Sequence, residues 1–131
     1  LHKAIRRQRQ MCIRDSLLNL DEEDKKRGYA GGMSANRINA GLGTIISQVL
    51  EQVGREKVAG LYTTGGDTMV NVCYQLGVEC IEVMDYVIPQ TDVGRLVGKY
   101  DGLPVVGKGG LTGNDNTACD IVERLFKESA R

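Results

Sequence analysis

Two glycine-rich turns in this sequence combine residue types and positions that suit phosphate binding. The first glycine turn, Thr-Gly-Gly-Asp-Thr at residues 64–68, ends an apolar run at residues 58–64 and precedes a helical pattern. The first N–H groups of a helix lack intrahelical partners and the helix dipole is positive there, so an anion is stabilised. Glycines let the backbone approach the anion closely, and Thr64 and Thr68 add hydroxyl donors. The pattern predicts a phosphate site, with a tight turn capped by Asp67 or Thr68 as an equally good interpretation.

The second glycine turn, Gly-Lys-Gly-Gly-Leu-Thr-Gly at residues 107–113, follows an apolar run at residues 103–107 and also precedes a helical pattern. Lys108 could contact phosphate oxygens while backbone amides surround the rest of the anion. Two standard phosphate motifs do not fit. Residue 109 is glycine where a Walker A motif has Ser or Thr, and Thr112 stands where a dinucleotide motif has glycine. A flexible surface loop is the alternative interpretation.

The elements that must position these turns follow from apolar spacing and from helix start and stop signals. The spacing predicts a helix at residues 34–54, a strand at 58–64, a helix from 67 or 68 to 77, a strand at 79–88 that needs a bulge, a loop with a short helical turn at 89–102, a strand at 103–107 and a helix capped by Asp115 or Asn116. Ser34 is the expected cap of the first helix, and Gly54 and Gly77 are the expected stops. This order indicates an α/β fold, a layered sheet with flanking helices. Ligands of open α/β sheets bind beyond the carboxyl ends of strands, so two glycine turns on adjacent strand ends suggest a nucleotide-phosphate site.

Both turns also resemble segments of one family. Thr64-Gly65-Gly66-Asp67-Thr68 looks like the TGGDT or GGET turn of the four-carbon acid sugar kinases, and residues 102–110 are similar to that family's GLP-V-V-x-K-x-GG run. The likeness covers residues 34–127 and matches the family's C-terminal, nucleotide-binding domain. The resemblance implies that the nucleotide is contacted by Thr64, Gly65, Gly66, Asp67, Thr68, Lys108, Gly109 and Gly110.

The resemblance implies the ATP-binding domain of a two-domain, cytoplasmic kinase that phosphorylates a four-carbon acid sugar of the threonate, erythronate or 3-oxo-tetronate type. Mg²⁺ would bridge the ATP phosphates, and no residue of this chain is assigned as its ligand. In this family the N-terminal domain binds the acid sugar and supplies the acidic residues of the reaction. No catalytic residue is therefore expected here, and the chain alone should bind ATP weakly and transfer no phosphoryl group. The alternatives are a noncatalytic nucleotide-binding regulatory module and a structural remnant.

Three features depart from the family pattern. Gln90 stands where the family has glycine after the loop proline, and residues 110–113 read Gly-Leu-Thr-Gly where the family has GGFG. A serine-rich nucleotide contact on the domain's first strand has no counterpart before the helix at 34–54. The chain also begins with Leu1, so we expect a fragment with an incomplete domain.

Residues 1–28 differ in composition from the predicted nucleotide-binding domain at residues 34–131. Five Lys or Arg residues precede the first acidic residue, Asp15, and the charge run DEEDKKR at residues 21–27 has no apolar periodicity. We expect an irregular charged segment, either a remnant of a preceding domain or sequence foreign to the gene. A transit peptide fits less well because such peptides contain few acidic residues.

Composition excludes several classes of protein. The chain has 131 residues, enough for one domain, and 17 Lys and Arg balance 17 Asp and Glu. A neutral chain lacks the basic surface of general nucleic-acid binding, so no nucleic-acid partner is expected. No run of eighteen apolar residues occurs, and we therefore expect no membrane span. Four scattered cysteines without a CxxC pair favour free thiols over a zinc site.

Overall fold

The computed structural model describes residues 19–130, which form an α/β structure. Its elements, in chain order, are α1 (Leu20–Arg27), α2 (Met33–Val53), a 3₁₀ turn (Arg55–Lys57), β1 (Leu61–Thr64), α3 (Gly66–Leu76), β2 (Val78–Ile88), β3 (Thr91–Gly98), β4 (Pro104–Lys108) and α4 (Thr117–Ser129). Two compact units divide the chain, Leu1–Arg37 and Ile38–Arg131, and the second contains the whole sheet. None of the helices in the described part of the chain is both long and apolar enough to cross a membrane.

The sheet is mixed, with the strand order β1-β4-β3-β2. β1 pairs with β4 in parallel, whereas β3 is antiparallel to both of its neighbours. The long strand β2 shifts register against β3 at three points, which confirms that it needs a bulge. The predicted fold class, a layered α/β sheet with flanking helices, is confirmed.

Helices pack on both faces of this sheet. Val105 and Val106 are adjacent on β4 and therefore point to opposite faces. Val105 packs in a cluster with Leu50 of α2, with side chains of α3 and with side chains of the sheet, whereas Val106 packs against Ile121 and Leu125 of α4. The strand ends that carry the two glycine turns are thus held by cores on both sides.

The helix predicted at residues 34–54 is confirmed as α2, but most of its apolar face is not buried by the described residues. Leu50 is buried, and Ile46 is partly buried and packs against the core. The remaining apolar side chains of the predicted face, Ile38, Leu42, Ile45, Val49 and Val53, are between 39% and 56% exposed.

The loop predicted at residues 89–102 is wrong, since β3 lies there in the centre of the sheet between β2 and β4. A Cβ at Gly94 of this strand would lie 2.6 Å from the carbonyl oxygen of Glu82 on β2. This glycine therefore serves close strand packing instead of a turn. Arg95, a second unusual residue for a central strand, places its guanidinium 3.5 Å from the carboxylate of Glu128 on α4.

Glu128 fixes the last helix to the sheet. Its side chain is 1% exposed and accepts a 2.9 Å hydrogen bond from Nε of Arg124, one turn earlier on α4. Arg124 also bridges to Asp85 of β2 at 2.9 Å, and Arg95 of β3 donates to the backbone carbonyl of Gly102 at 2.9 Å. A buried carboxylate is stabilised only when it is paired in this way.

The predicted cap of α3 is wrong, whereas that of α4 is confirmed in its position. Gly65 is the N-cap of α3 without a side-chain cap bond, so Asp67 and Thr68 lie inside its first turn. Asn116 is the N-cap residue of α4, as predicted, but its side chain makes no cap hydrogen bond. The hydroxyl of Thr117 accepts from the N–H of Asn114 at 2.8 Å. The predicted helix stops are confirmed, for example at Gly77, which is left-handed with φ 67°.

The described part of the first unit contains a helix where the sequence showed a charge run. The N-cap Asn19 accepts from the N–H of Glu22 at 3.4 Å, and α1 ends at the left-handed Gly28. Asp24 is 2% exposed and accepts from the N–H of Ser34 at 2.8 Å, so Ser34 lies in the first turn of α2 and is not its cap. The basic run at residues 3–14 lies outside the described residues.

Candidate functional site

The structure places the two glycine turns side by side. Parallel pairing of β1 with β4 sets Thr64 opposite Lys108, so the carboxyl ends of both strands lie at one edge of the sheet. The N–H of Gly65 donates to the carbonyl oxygen of Lys108 at 3.0 Å and joins the turns directly. The prediction that the two glycine turns lie on adjacent strand ends is confirmed. Gly65 of the first turn and Gly109 of the second lie at the same edge of the sheet.

The first glycine turn delivers the N-terminus of α3 to this edge. Gly65 has φ 89°, a conformation that residues with side chains rarely adopt. The first intrahelical bond runs from Met69 N–H to the carbonyl of Gly65 at 3.1 Å. The N–H groups of Gly66, Asp67 and Thr68 precede that bond and have no acceptor among the described residues. They are therefore donors for an anion at the positive end of the helix dipole.

Asn39 of α2 reaches this turn, although it was not among the residues predicted for the site. Its Oδ1 accepts a 3.0 Å hydrogen bond from the hydroxyl of Thr68. The bond fixes the amide group and leaves the two donors of its nitrogen for another acceptor. Asn39 is 29 residues away from Thr68 in the chain. No local pattern relates the two, although a polar residue between Ile38 and Leu42 on a helix was a possible signal.

Lys108 binds its own loop in this structure. Its ammonium donates to the carbonyl oxygens of Gly109 at 2.6 Å and Thr112 at 2.7 Å, with that of Gly110 at 3.5 Å. Because a trans peptide directs its N–H opposite to its C=O, carbonyls that face the ammonium turn the following N–H groups away from it. Lys108 thus shapes the second glycine turn by binding its carbonyl oxygens, and the direct phosphate contact that the sequence suggested stays a prediction.

The second glycine turn is further anchored on the β2–β3 hairpin. The N–H of Gly109 donates to the carbonyl oxygen of Gln90 at 2.9 Å. Gln90 itself has φ 63°, in the left-handed region that favours glycine. The left-handed conformation explains why the four-carbon acid sugar kinases have glycine at this position after the loop proline. In this chain a glutamine adopts the same conformation.

Side-chain chemistry at the edge is oxygen-rich but sparse. Asp67 is exposed and its carboxylate caps no helix, and Thr64, three residues earlier, is also exposed. Within residues 19–130 no group of three or more His, Cys, Asp or Glu side chains could hold a metal ion by itself. Among residues 19–130, the backbone N–H groups of the two turns are therefore the groups at this edge that suit an anion.

An α/β sheet covered by helices on both faces, with glycine turns at parallel strand ends, defines a nucleotide-binding class of domain, and the comparisons agree. The chain belongs to the family of nucleotide-binding C-terminal domains, whose model matches residues 2–118. The resemblance to the C-terminal domain of the four-carbon acid sugar kinases is confirmed by two curated relatives. Each match covers more than two thirds of this chain.

The first relative is the D-erythronate kinase of Heliobacterium modesticaldum, 46% identical over 93 residues, which are 70% of this chain and 21% of the relative. The second is the D-threonate kinase of Salmonella typhimurium, 35% identical over 104 residues, 79% of this chain and 24% of the relative. The matched region thus spans less than a quarter of the length of each relative.

Solved structures agree with the fold. A domain of unknown function (DUF1537) from Bordetella bronchiseptica, crystallised with citrate as a domain-swapped dimer, superposes with a TM-score of 0.65 at 27% identity. The superposition covers 75% of this chain and 24% of that one. A second crystal form of the same protein gives a TM-score of 0.62 over 78% of this chain and 24% of that one.

Proposed function

We propose that this chain is the ATP-binding domain of a kinase that phosphorylates a hydroxyl of a four-carbon acid sugar. The observation that carries the proposal is the pairing of Thr64 with Lys108, which sets both glycine turns at one edge of the sheet. The relatives named as kinases of D-erythronate and D-threonate support the choice of substrate class.

In this proposal the chain holds the ATP phosphates by backbone donors. The N–H groups of residues 66–68 bind phosphate oxygens at the start of α3, and Thr68 is oriented there by Asn39. The loop that Lys108 shapes covers the phosphates from the second glycine turn, with Gly109 and Gly110 against the nucleotide. Such positioning and charge neutralisation supply most of the catalysis in phosphoryl transfer.

Asp67 fits a role as an oxygen ligand of Mg²⁺. A carboxylate beside a phosphate site is unfavourable unless it caps the helix or binds a metal ion, and it caps nothing here. Carboxylates and phosphate oxygens are the ligands that Mg²⁺ usually takes in such sites. The bound ion would neutralise phosphate charge. Thr64, exposed at the end of β1, could add a hydroxyl to the same shell.

The acceptor site and the base that takes the hydroxyl proton are not assigned to this chain. The relatives are more than four times as long as the matched region, which leaves room for both in the rest of such proteins. We therefore expect the 131-residue chain to bind ATP weakly and to transfer no phosphoryl group to erythronate or threonate. Turnover by the purified chain would overturn this expectation.

A thermal-shift titration tests nucleotide binding. Mg²⁺–ATP should raise the unfolding midpoint in a saturable manner and more than Mg²⁺–GTP does. A ligand that binds only the folded state adds about 2.7 kcal/mol of stability at one hundred times its Kd. A folded chain whose midpoint does not respond to ATP would contradict the proposal.

Gly66→Val locates the binding in the first glycine turn. Nothing lies within 4 Å of a Cβ at Gly66, so the variant should fold while its side chain blocks the helix N-terminus. Gly41→Val on α2 is the matched control, since that Cβ also meets nothing within 4 Å. The ATP shift should be lost in the first variant and kept in the second; an unchanged shift in Gly66→Val would place the phosphates elsewhere.

A further inference from the structure

An apolar pocket of about 480 Å³ lies between α3 and β2, beside the first glycine turn. Val70, Cys73 and Tyr74 line its helical wall, and Cys80 and Ile81 line its strand wall. Its volume is within the usual range of small-molecule sites, about 300–1,000 Å³. No role in the proposed phosphate site uses these side chains.

One end of the pocket lies at the N-terminus of α3, next to the backbone N–H groups proposed to bind phosphate. Gly66 is both the first residue of α3 and a lining residue of the pocket. Val70 and Tyr74 follow it at four-residue intervals, so the three residues lie along one face of the helix. A ligand whose phosphates bind at the N-terminus of α3 can therefore extend along this face into the pocket.

The pocket walls suit a flat aromatic group. Val70 is 68% exposed and Tyr74 is 79% exposed, which leaves an aliphatic and an aromatic surface uncovered within the described residues. The Cys73 thiol adds a neutral surface, because burial raises its pKa. Aromatic side chains such as Tyr74 bind nucleobases by stacking.

The strand wall offers hydrogen-bonding groups as well. β2 is an edge strand that pairs only with β3 among the described residues, so part of its backbone is not used in the sheet. Its register shifts between Val78 and Cys80, which makes Glu79 the extra residue of a bulge at the pocket wall. Bulges occur often beside binding sites because they redirect backbone and side-chain groups.

We propose that this pocket binds the base of the nucleotide whose phosphates lie at the glycine turns. The inference rests on the proposed function, and it adds a second, base-specific subsite to it. Tyr74 stacks on the base, Val70 contacts its apolar face, and the free edge of β2 accepts and donates hydrogen bonds at its rim.

Calorimetric titration of the 131-residue chain with three ligands separates the two subsites. Mg²⁺–ATP reports both, Mg²⁺–tripolyphosphate reports only the phosphate donors, and adenosine reports only the pocket. Tyr74→Ala should weaken ATP and adenosine about tenfold or more, as expected from loss of one stacking contact. It should leave the affinity for tripolyphosphate within twofold, and Tyr74→Phe should restore ATP binding.

Phe126→Ala is the control variant, because Phe126 is a 62% exposed aromatic residue of α4, on the other face of the sheet. It should leave all three affinities unchanged. If Tyr74→Ala binds ATP as tightly as the unmodified chain, the pocket is not the base site, although the phosphate site stands. If adenosine binds and tripolyphosphate does not, the pocket stands and the proposed phosphate site fails. If none of the three ligands binds, both are overturned.

Discussion

Gly43 lies where α2 packs on α3, and an added methyl group there tests the packing that positions the candidate site. A Cβ at Gly43 would lie 2.7 Å from the carbonyl oxygen of Asn71 and 2.8 Å from Cγ of Gln75. The first of these atoms belongs to the backbone of α3 and cannot rotate away. Gly43→Ala must therefore separate the two helices or distort one of them.

The magnitude follows from two opposing effects. Replacing glycine by alanine inside a helix stabilises it by about 1 kcal/mol. Overpacking a filled core costs about 1–3 kcal/mol. Gly41→Ala, two residues earlier on α2, gains the first effect without the second, because nothing lies within 4 Å of its Cβ. The difference in unfolding free energy between the two variants should thus be about 1–3 kcal/mol, with Gly43→Ala the less stable.

Urea denaturation of both variants measures this difference. The midpoint of Gly43→Ala should fall below that of Gly41→Ala at an unchanged slope, since a changed slope would indicate an altered denatured state. Separation of the helices should also weaken nucleotide binding, because Asn39 of α2 contacts Thr68 of α3. Equal stability of the two variants would refute the tight helix contact and the positioning argument that depends on it.

Three further predictions concern charged side chains. Glu128→Ala should lower the unfolding free energy by about 3 kcal/mol, because it leaves Arg95 and Arg124 without their buried partner. In the same urea denaturation, Glu123→Ala should change this free energy by less than about 0.5 kcal/mol, because Glu123 is exposed. Equal effects of the two substitutions would contradict this prediction. Hydrogen bonds, first from the Ser34 side chain, lower the pKa of Asp24. Its stabilisation should be complete above the unfolded pKa of about 3.9 and be lost as pH falls through the lower folded value. The urea midpoint of Asp24→Asn should therefore lie below the wild type at pH 7, with a gap that closes on acidification; a constant gap would refute the charge argument. Lys108→Met should expose the second glycine turn to limited proteolysis, and unchanged protection would show that its ammonium does not hold the loop.

Local signals in the sequence identified most helices and strands. Glycine stops such as Gly54 and Gly77 act through their own backbone conformation, so they can be recognised without knowledge of the fold. The two glycine turns were found for the same reason: glycine, threonine and lysine at residues 64–68 and 107–113 are chemically unusual by themselves. Their meeting could also be expected, because helix and strand alternation favours parallel strands whose ends coincide.

Other features depend on residues that are distant in the chain. Residues 89–102 were predicted as a loop, and only the closeness of Gly94 to Glu82 on β2 shows why a central strand needs glycine there. Lys108 suggested a phosphate contact, and only the structure shows that its ammonium also binds the carbonyl oxygens of Gly109 and Thr112. Asn39 had no signal beyond its polarity.

The sequence by itself therefore determined the family, through its motifs, and the order of most elements and the two glycine turns. The elements and turns form through interactions within a few residues, so local spacing is enough to predict them. The tertiary structure alone decided the central strand β3, the partner of Thr68 and the apolar pocket beside α3. Strand pairing, side-chain hydrogen bonds and cavities form between segments that are far apart in the chain. Their free energies depend on which groups the fold brings together, and local spacing does not contain that information.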